Sequence, residues 1–162
     1  NWRVGYAGAK RGARMITSIY PEAGLESNNK NLISVYKKWE ENDVKVEEFM
    51  LDDAEYIIVA YGIAARVAKQ AVLTLRQEGH KIGLIRPITL YPFPKASFGK
   101  LDYGKVKAFI DIEMTIPAQM RDDIELEAKG RAPVYEYGRS GGVLLDDDSV
   151  LEAIKNVIGG RQ

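Results

Sequence analysis

Unbroken apolar runs alternate with amphipathic stripes along most of this 162-residue chain. Tyr56-Ile57-Ile58-Val59-Ala60-Tyr61 is continuous and apolar, as expected of a strand covered on both faces. Val67, Ala68, Ala71, Val72 and Leu75 then recur at helical spacing, predicting a helix over 64–78 that Gly79 stops. Ile82 to Ile85 is the next strand, 106–113 a further one and 134–137 the last. Phe98 and Leu101 mark a short helix between them. A helix over 118–129 turns Met120, Ile124 and Ala128 inward. A final helix, capped by Asp148 or Ser149, buries Val150, Leu151, Ile154, Val157 and Ile158.

The first fifty residues are less regular. Residues 14–20 are β-branched and predict an edge strand, closed by Pro21. Leu25, Asn29, Leu32, Tyr36 and Trp39 share one face of a helix over 22–41, and 44–49 alternate as a half-buried strand. Strand–helix alternation at this spacing predicts an α/β fold with a mostly parallel sheet between helical layers. The expected organisation is an N-terminal loop, edge strand and connecting helix over 1–50, then an α/β domain over 51–162, packed as one unit.

Composition removes several function classes. Lysine plus arginine and aspartate plus glutamate both number 23, so the basic excess of a nucleic-acid-binding domain is missing. Without cysteine, the chain can supply neither a disulfide nor thiolate ligands for a metal or cluster. A single histidine, His80, argues against a histidine-based zinc site or a Ser-His triad; it reads as a turn residue after Gly79. No apolar run is long enough to span a membrane. The opening at Asn1 leads to the expectation of a domain excised from a longer protein.

Parallel α/β sheets place ligands and partners at the carboxyl ends of their strands. Four such ends collect the polar and glycine residues. Gly62-Ile63-Ala64-Ala65-Arg66 reads as a tight turn into a helix, with an anion site as the alternative. Arg86 is placed either to pair with Glu113 or to fork onto an anion. Gly138-Arg139-Ser140-Gly141-Gly142 is a loop before the last helix, with phosphate binding as the alternative. Asp52-Asp53 and Asp146-Asp147-Asp148 fit turn and helix-start roles. The most unusual exit is Arg86-Pro87-Ile88-Thr89-Leu90-Tyr91-Pro92-Phe93-Pro94. Its prolines forbid a helix and stiffen an extended connector. This stretch is expected to form a docking ridge that holds Tyr91 and Phe93 against a neighbour.

These residues also carry a resemblance. Asp52-Asp53-Ala54-Glu55, Val59-Ala60-Tyr61-Gly62, Ala65-Arg66, Gly79 and the stretch from Gly83 to Pro94 resemble the alpha subunit of 2-oxoacid:ferredoxin oxidoreductases. Glu113-Met114, Gln119-Met120, Ala132-Pro133-Val134 and Tyr137-Gly138-Arg139 fit the same pattern, most closely that of the branched-chain type acting on 3-methyl-2-oxobutanoate. One departure is Thr115-Ile116-Pro117-Ala118-Gln119, where the family commonly has glycine before the glutamine. The resemblance implies a three-layer α/β/α domain like the C-terminal domain of transketolase, its five-stranded mixed sheet carrying one antiparallel strand. It implies a cytoplasmic enzyme that decarboxylates a 2-oxoacid on thiamine diphosphate and Mg2+. Such an enzyme passes electrons through iron–sulfur clusters to ferredoxin and releases an acyl-CoA. This segment would then be a structural and interface part, inactive alone and without catalytic, cofactor or metal residues. Its partners would be other alpha-subunit domains and the beta and gamma/delta subunits, with no nucleic acid or membrane. The other readings are a stand-alone small-ligand or nucleotide-binding module and a self-associating assembly domain. Candidate contact residues are Gly62, Arg66, Arg86, Pro87, Thr89, Tyr91, Phe93, Glu113, Gln119, Arg139, Gly141 and Gly142.

Overall fold

A computed structural model describes residues 22–160. The strand expected over 14–20 lies outside the described residues. The chain divides into two compact units, Asn1–Lys38 and Trp39–Gln162. Helix α1 spans Glu22–Asn42, and the stripe expected to be its inner face stays exposed at Leu25, Leu32, Tyr36 and Trp39.

The second unit holds a five-stranded sheet in the order β1-β3-β2-β4-β5. Its strands are β1 (Val46–Phe49), β2 (Tyr56–Ala60), β3 (Ile82–Pro87), β4 (Ala108–Glu113) and β5 (Val134–Gly138). Strands β2 to β5 run parallel, and β1 lies antiparallel along the outer side of β3. Helices α2 (Gly62–Gln77) and α5 (Asp147–Ile158) cover one face, over Ile58, Ala60, Leu84, Ile110 and Ile112. Helices α3 (Lys95–Gly99) and α4 (Arg121–Ala128) cover the other, over Ile57, Val59, Ile85 and Phe109. The three-layer α/β/α arrangement with one antiparallel strand is the expected one.

An aromatic stack anchors the α3 side. Phe98 lies 5.5 Å from both Phe93 and Phe109 and is fully buried. Phe98→Ala is expected to cost about 3–5 kcal/mol in urea unfolding, because the void would be walled by two rings that cannot collapse into it.

The link from β1 to β2 is pinned across β3. Arg76 on α2 donates from Nε to the Ile82 carbonyl and from Nη2 to the Met50 carbonyl, each at 2.7 Å. That carbonyl passes so close to Gly83 that a Cβ there would sit 2.5 Å from it. Only glycine admits this crossing.

Several boundaries differ from the sequence reading, three of them with a clear physical cause. Strand β3 continues through Pro87, which pairs only with Val46 of β1, so its missing N–H removes no bond to β2. Helix α4 begins at Arg121 rather than 118, because the Glu113 carboxylate takes the Met120 N–H at 2.6 Å and fixes the helix start there. Asp146, not Asp148 or Ser149, caps α5: it accepts the Ser149 N–H at 2.8 Å, with Asp147 and Asp148 in the first turn.

Candidate functional site

The carboxyl ends of β2, β3, β4 and β5 feed loops that gather the polar residues singled out from sequence. The structure separates these residues into three groups.

Arg86 and Pro87 belong to the sheet. The Arg86 guanidinium pairs with Glu47 at 3.0 Å, and Lys69 holds the same carboxylate. Hydrogen bonds from Lys69 and then Arg86 keep the Glu47 carboxyl below its ordinary range. The Arg86–Glu113 pair, one of the two sequence alternatives, does not form. Strand β2 separates β3 from β4, while β1 sets Glu47 directly opposite Arg86. Phe93 forms the second group: it is 8% exposed and stacks on Phe98, so it belongs to the core rather than to the outer face of the proline stretch. The short reach from Tyr91 through Pro92 back to α3 turns its ring inward.

The remaining residues line the carboxyl edge. Gly62 starts α2 with φ of 56°, and Arg66 is exposed one turn later. Thr89 accepts the Lys45 N–H at 3.0 Å and donates to the Pro92 carbonyl at 3.2 Å, stiffening the proline stretch. Tyr91 meets Trp39 edge-on at 6.4 Å. Gln119 is exposed beside a cavity of about 200 Å3 that also touches Tyr61, Leu90 and Met120. Arg139 donates its N–H to the Glu113 carbonyl at 3.2 Å and lies over the Tyr137 ring, with Nε buried and unbonded. Gly141 and Gly142 are exposed in a turn with φ of 65° and 86°. Between these groups stand large apolar side chains from the four strand exits: Ile63 in the first turn of α2, and Ile88, Leu90, Ile116, Val143 and Leu144. Leu144 is 74% exposed and Ile116 62%.

Beneath this edge Glu113 is paired with Asp111, a residue the sequence reading did not single out. Asp111 and Glu113, two residues apart on one face of β4, are both 0% exposed. Glu113 is satisfied by the Tyr61 hydroxyl at 3.2 Å and the Met120 N–H. Neither Asp111 oxygen has a hydrogen-bond partner. Burial, followed by the Glu113 charge, pushes the Asp111 carboxyl up to about 8, and once protonated it donates to Glu113. Burial and the same charge raise the Tyr61 phenol. A sequence signal for the pair existed: Asp111 is the lone charge inside Phe109-Ile110-Asp111-Ile112. The pair ties the β4 exit to β2 and α4, and it reaches no solvent.

Across the described residues, no group of three or more histidines, aspartates or glutamates is placed to hold a metal. No described helix is long and apolar enough to cross a membrane. His80 sits in the turn after α2, 4.0 Å from Glu78.

Sheet order, layering and this apolar carboxyl edge define a transketolase-like α/β domain. The fold aligns with a split-gene transketolase at TM-score 0.57 and 15% identity, over 73% of this chain and 42% of that one. It aligns at TM-score 0.72 and 20% identity with 2-oxoglutarate:ferredoxin oxidoreductase from Magnetococcus marinus, covering 86% of this chain and 24% of that one. The family model for pyruvate:ferredoxin oxidoreductase core domain II matches residues 54–150, and the chain belongs to that family. It is 45% identical over 146 residues to ketoisovalerate oxidoreductase subunit VorB of Methanothermobacter thermautotrophicus, covering 90% of this chain and 41% of that protein. It is 32% identical over 138 residues to 2-oxoglutarate synthase subunit KorA of Methanocaldococcus jannaschii, covering 83% and 36%. The chain thus spans 41% or less of the length of these relatives.

Proposed function

We propose that this chain is a non-catalytic interface domain in the alpha subunit of a cytoplasmic, thiamine-diphosphate-dependent 2-oxoacid:ferredoxin oxidoreductase of the branched-chain type. The family match and the 45% identity to a ketoisovalerate oxidoreductase subunit support the enzyme class and favour that substrate. One observation carries the interface role: the carboxyl edge offers apolar side chains to a neighbour and little reactive chemistry. Its one buried carboxyl pair is enclosed, and the Glu113 oxygens are engaged within the domain.

The residues here do not fit the cofactors of the whole enzyme. Iron–sulfur clusters need thiolates, and the chain has no cysteine. A diphosphate at the 138–142 loop would face Asp146, Asp147 and Asp148 at the α5 start, which reverse the usual anion preference of a helix N-terminus. The same acidic start weighs against a stand-alone nucleotide-binding module. On this reading thiamine diphosphate, Mg2+, the clusters and coenzyme A are held by other domains and by the beta and gamma/delta subunits, with ferredoxin as electron acceptor.

The test is Ile116→Glu with Leu144→Glu in the full-length subunit. Co-purification and native mass spectrometry should show assembly weakened by about tenfold or more, since carboxylates would be buried unpaired. Both positions are exposed, so the thermal unfolding of the subunit should be unchanged. Assembly at wild-type affinity would sink the proposal.

A further inference from the structure

A groove on the α4 side of the proline stretch combines an apolar floor with an acidic rim. It has a volume of about 700 Å3 and runs between the end of α1, the proline stretch and α4. Leu90, Pro92, Phe93 and Leu126 contribute apolar surface, and Leu126 is among the most exposed apolar residues described. Around it stand Glu40, Glu41, Asp123 and Glu127, with Lys95 as the one cation of the lining.

Formal charge is balanced overall, and several carboxylates elsewhere in the unit are neutralised locally. Glu47 holds Lys69 and Arg86, Glu48 holds Lys100, Asp53 holds Arg76, and Glu55 holds Lys81 and Lys107. The four rim carboxylates form no such ion pair among the described residues. Four uncompensated negative charges around a concave apolar surface create a field that favours positive charge and disfavours acidic segments. The floor favours an apolar anchor that removes Leu126 and Leu90 from water. Both requirements point to one kind of occupant.

We infer that this groove receives a basic segment of a partner subunit, one that carries an apolar side chain flanked by lysine or arginine. The inference rests on the reading of the chain as part of a multisubunit enzyme and names the chemistry of one contact in it. The apolar residue seats against Leu126, Leu90 and Pro92, and the flanking cations face Glu40 and Glu41 on one side and Asp123 and Glu127 on the other. Association through this contact is therefore salt-sensitive in a way that docking of the apolar carboxyl edge is not.

The experiment uses the full-length subunit with its partners. A photo-crosslinking phenylalanine analogue placed at Leu126 is activated in the purified complex, and the products are mapped by mass spectrometry. The expected product joins position 126 to a partner-subunit peptide with lysine or arginine on both sides of an apolar residue. In parallel, the double variant Glu40→Lys, Glu41→Lys is expected to weaken assembly about tenfold at roughly 0.1 M salt. That deficit should shrink as salt rises to about 0.5 M and the screening length falls from about 10 Å to about 4–5 Å. Products on an acidic or uncharged segment, on a second copy of this chain or on the rest of the same polypeptide would overturn the inference. So would an absence of products from an intact complex. A wild-type subunit that forms no complex would overturn the proposed function as well, which keeps the two failures distinct.

Discussion

Asp111→Asn is expected to flatten the pH dependence of stability and to stabilise the chain in alkaline solution. The folded state holds the Asp111 proton up to about pH 8, whereas an unfolded aspartate releases it near pH 4. Between those values the folded state carries one more bound proton, so the free energy of unfolding falls as pH rises. The stabilisation is full below about pH 4 and is gone once pH passes through about 8. Groups facing the carboxyl set this behaviour: Glu113 beside it, Glu136 across on β5, Arg121 beyond Glu136, and Tyr61 on Glu113. In Asp111→Asn the amide donates to Glu113 at every pH. The variant should gain about 1–3 kcal/mol over wild type near pH 9, where two buried carboxylates would otherwise repel, and little near pH 5. Urea unfolding at pH 5, 7 and 9 measures this; parallel profiles for the two proteins would show that Asp111 does not retain the proton.

Gly138→Ala is expected to destabilise the domain by about 2–4 kcal/mol. A Cβ at this position would lie 2.2 Å from the Thr115 carbonyl oxygen and 3.3 Å from Ile116 Cγ1. Neither backbone yields easily. Gly138 is paired in the sheet with Glu113, and the Arg139 N–H is bonded to the Glu113 carbonyl. The loop after β4 must therefore lift off β5, carrying Ile116 out of the carboxyl edge. Gly99→Ala is the control: nothing lies within 4 Å of its added Cβ, so it should stay within about 1 kcal/mol of wild type. Equal losses for the two variants would rule out the Thr115 contact as the cause.

The parts legible in sequence were those whose signal is local. The runs 56–61 and 82–85 and the stripe from Val67 to Leu75 are written in adjacent residues, and β2, β3 and α2 follow them closely. What a strand pairs with is not local. Val44 to Phe49 reads as a strand, but nothing in it says that it lies antiparallel on β3, and so Glu47 escaped notice as the partner of Arg86. The exposure of the carboxyl loops followed from the α/β pattern, whereas Phe93 did not, because the inward turn depends on α3 presenting Phe98. Asp111 was readable in principle as a charge within a buried run; its consequence depends on Glu113 being satisfied by Tyr61 and Met120, which only tertiary geometry supplies.

Strand β1 also decides how this domain behaves when it is cut. It covers the outer side of β3 from Leu84 to Pro87 with four residues, two of them glutamates, and so presents a short, charged border in place of that stretch. Short strands and charges are what keep sheet borders from recruiting other chains. A piece trimmed to the family-matched residues 54–150 would lose β1 and would also lose Ile154, which is fully buried on the opposite face. Such a piece should precipitate or form strand-paired aggregates, whereas one that begins ahead of Val44 and runs through Ile158 should stay dispersed. Four residues that add little to the core therefore govern the solubility of the whole.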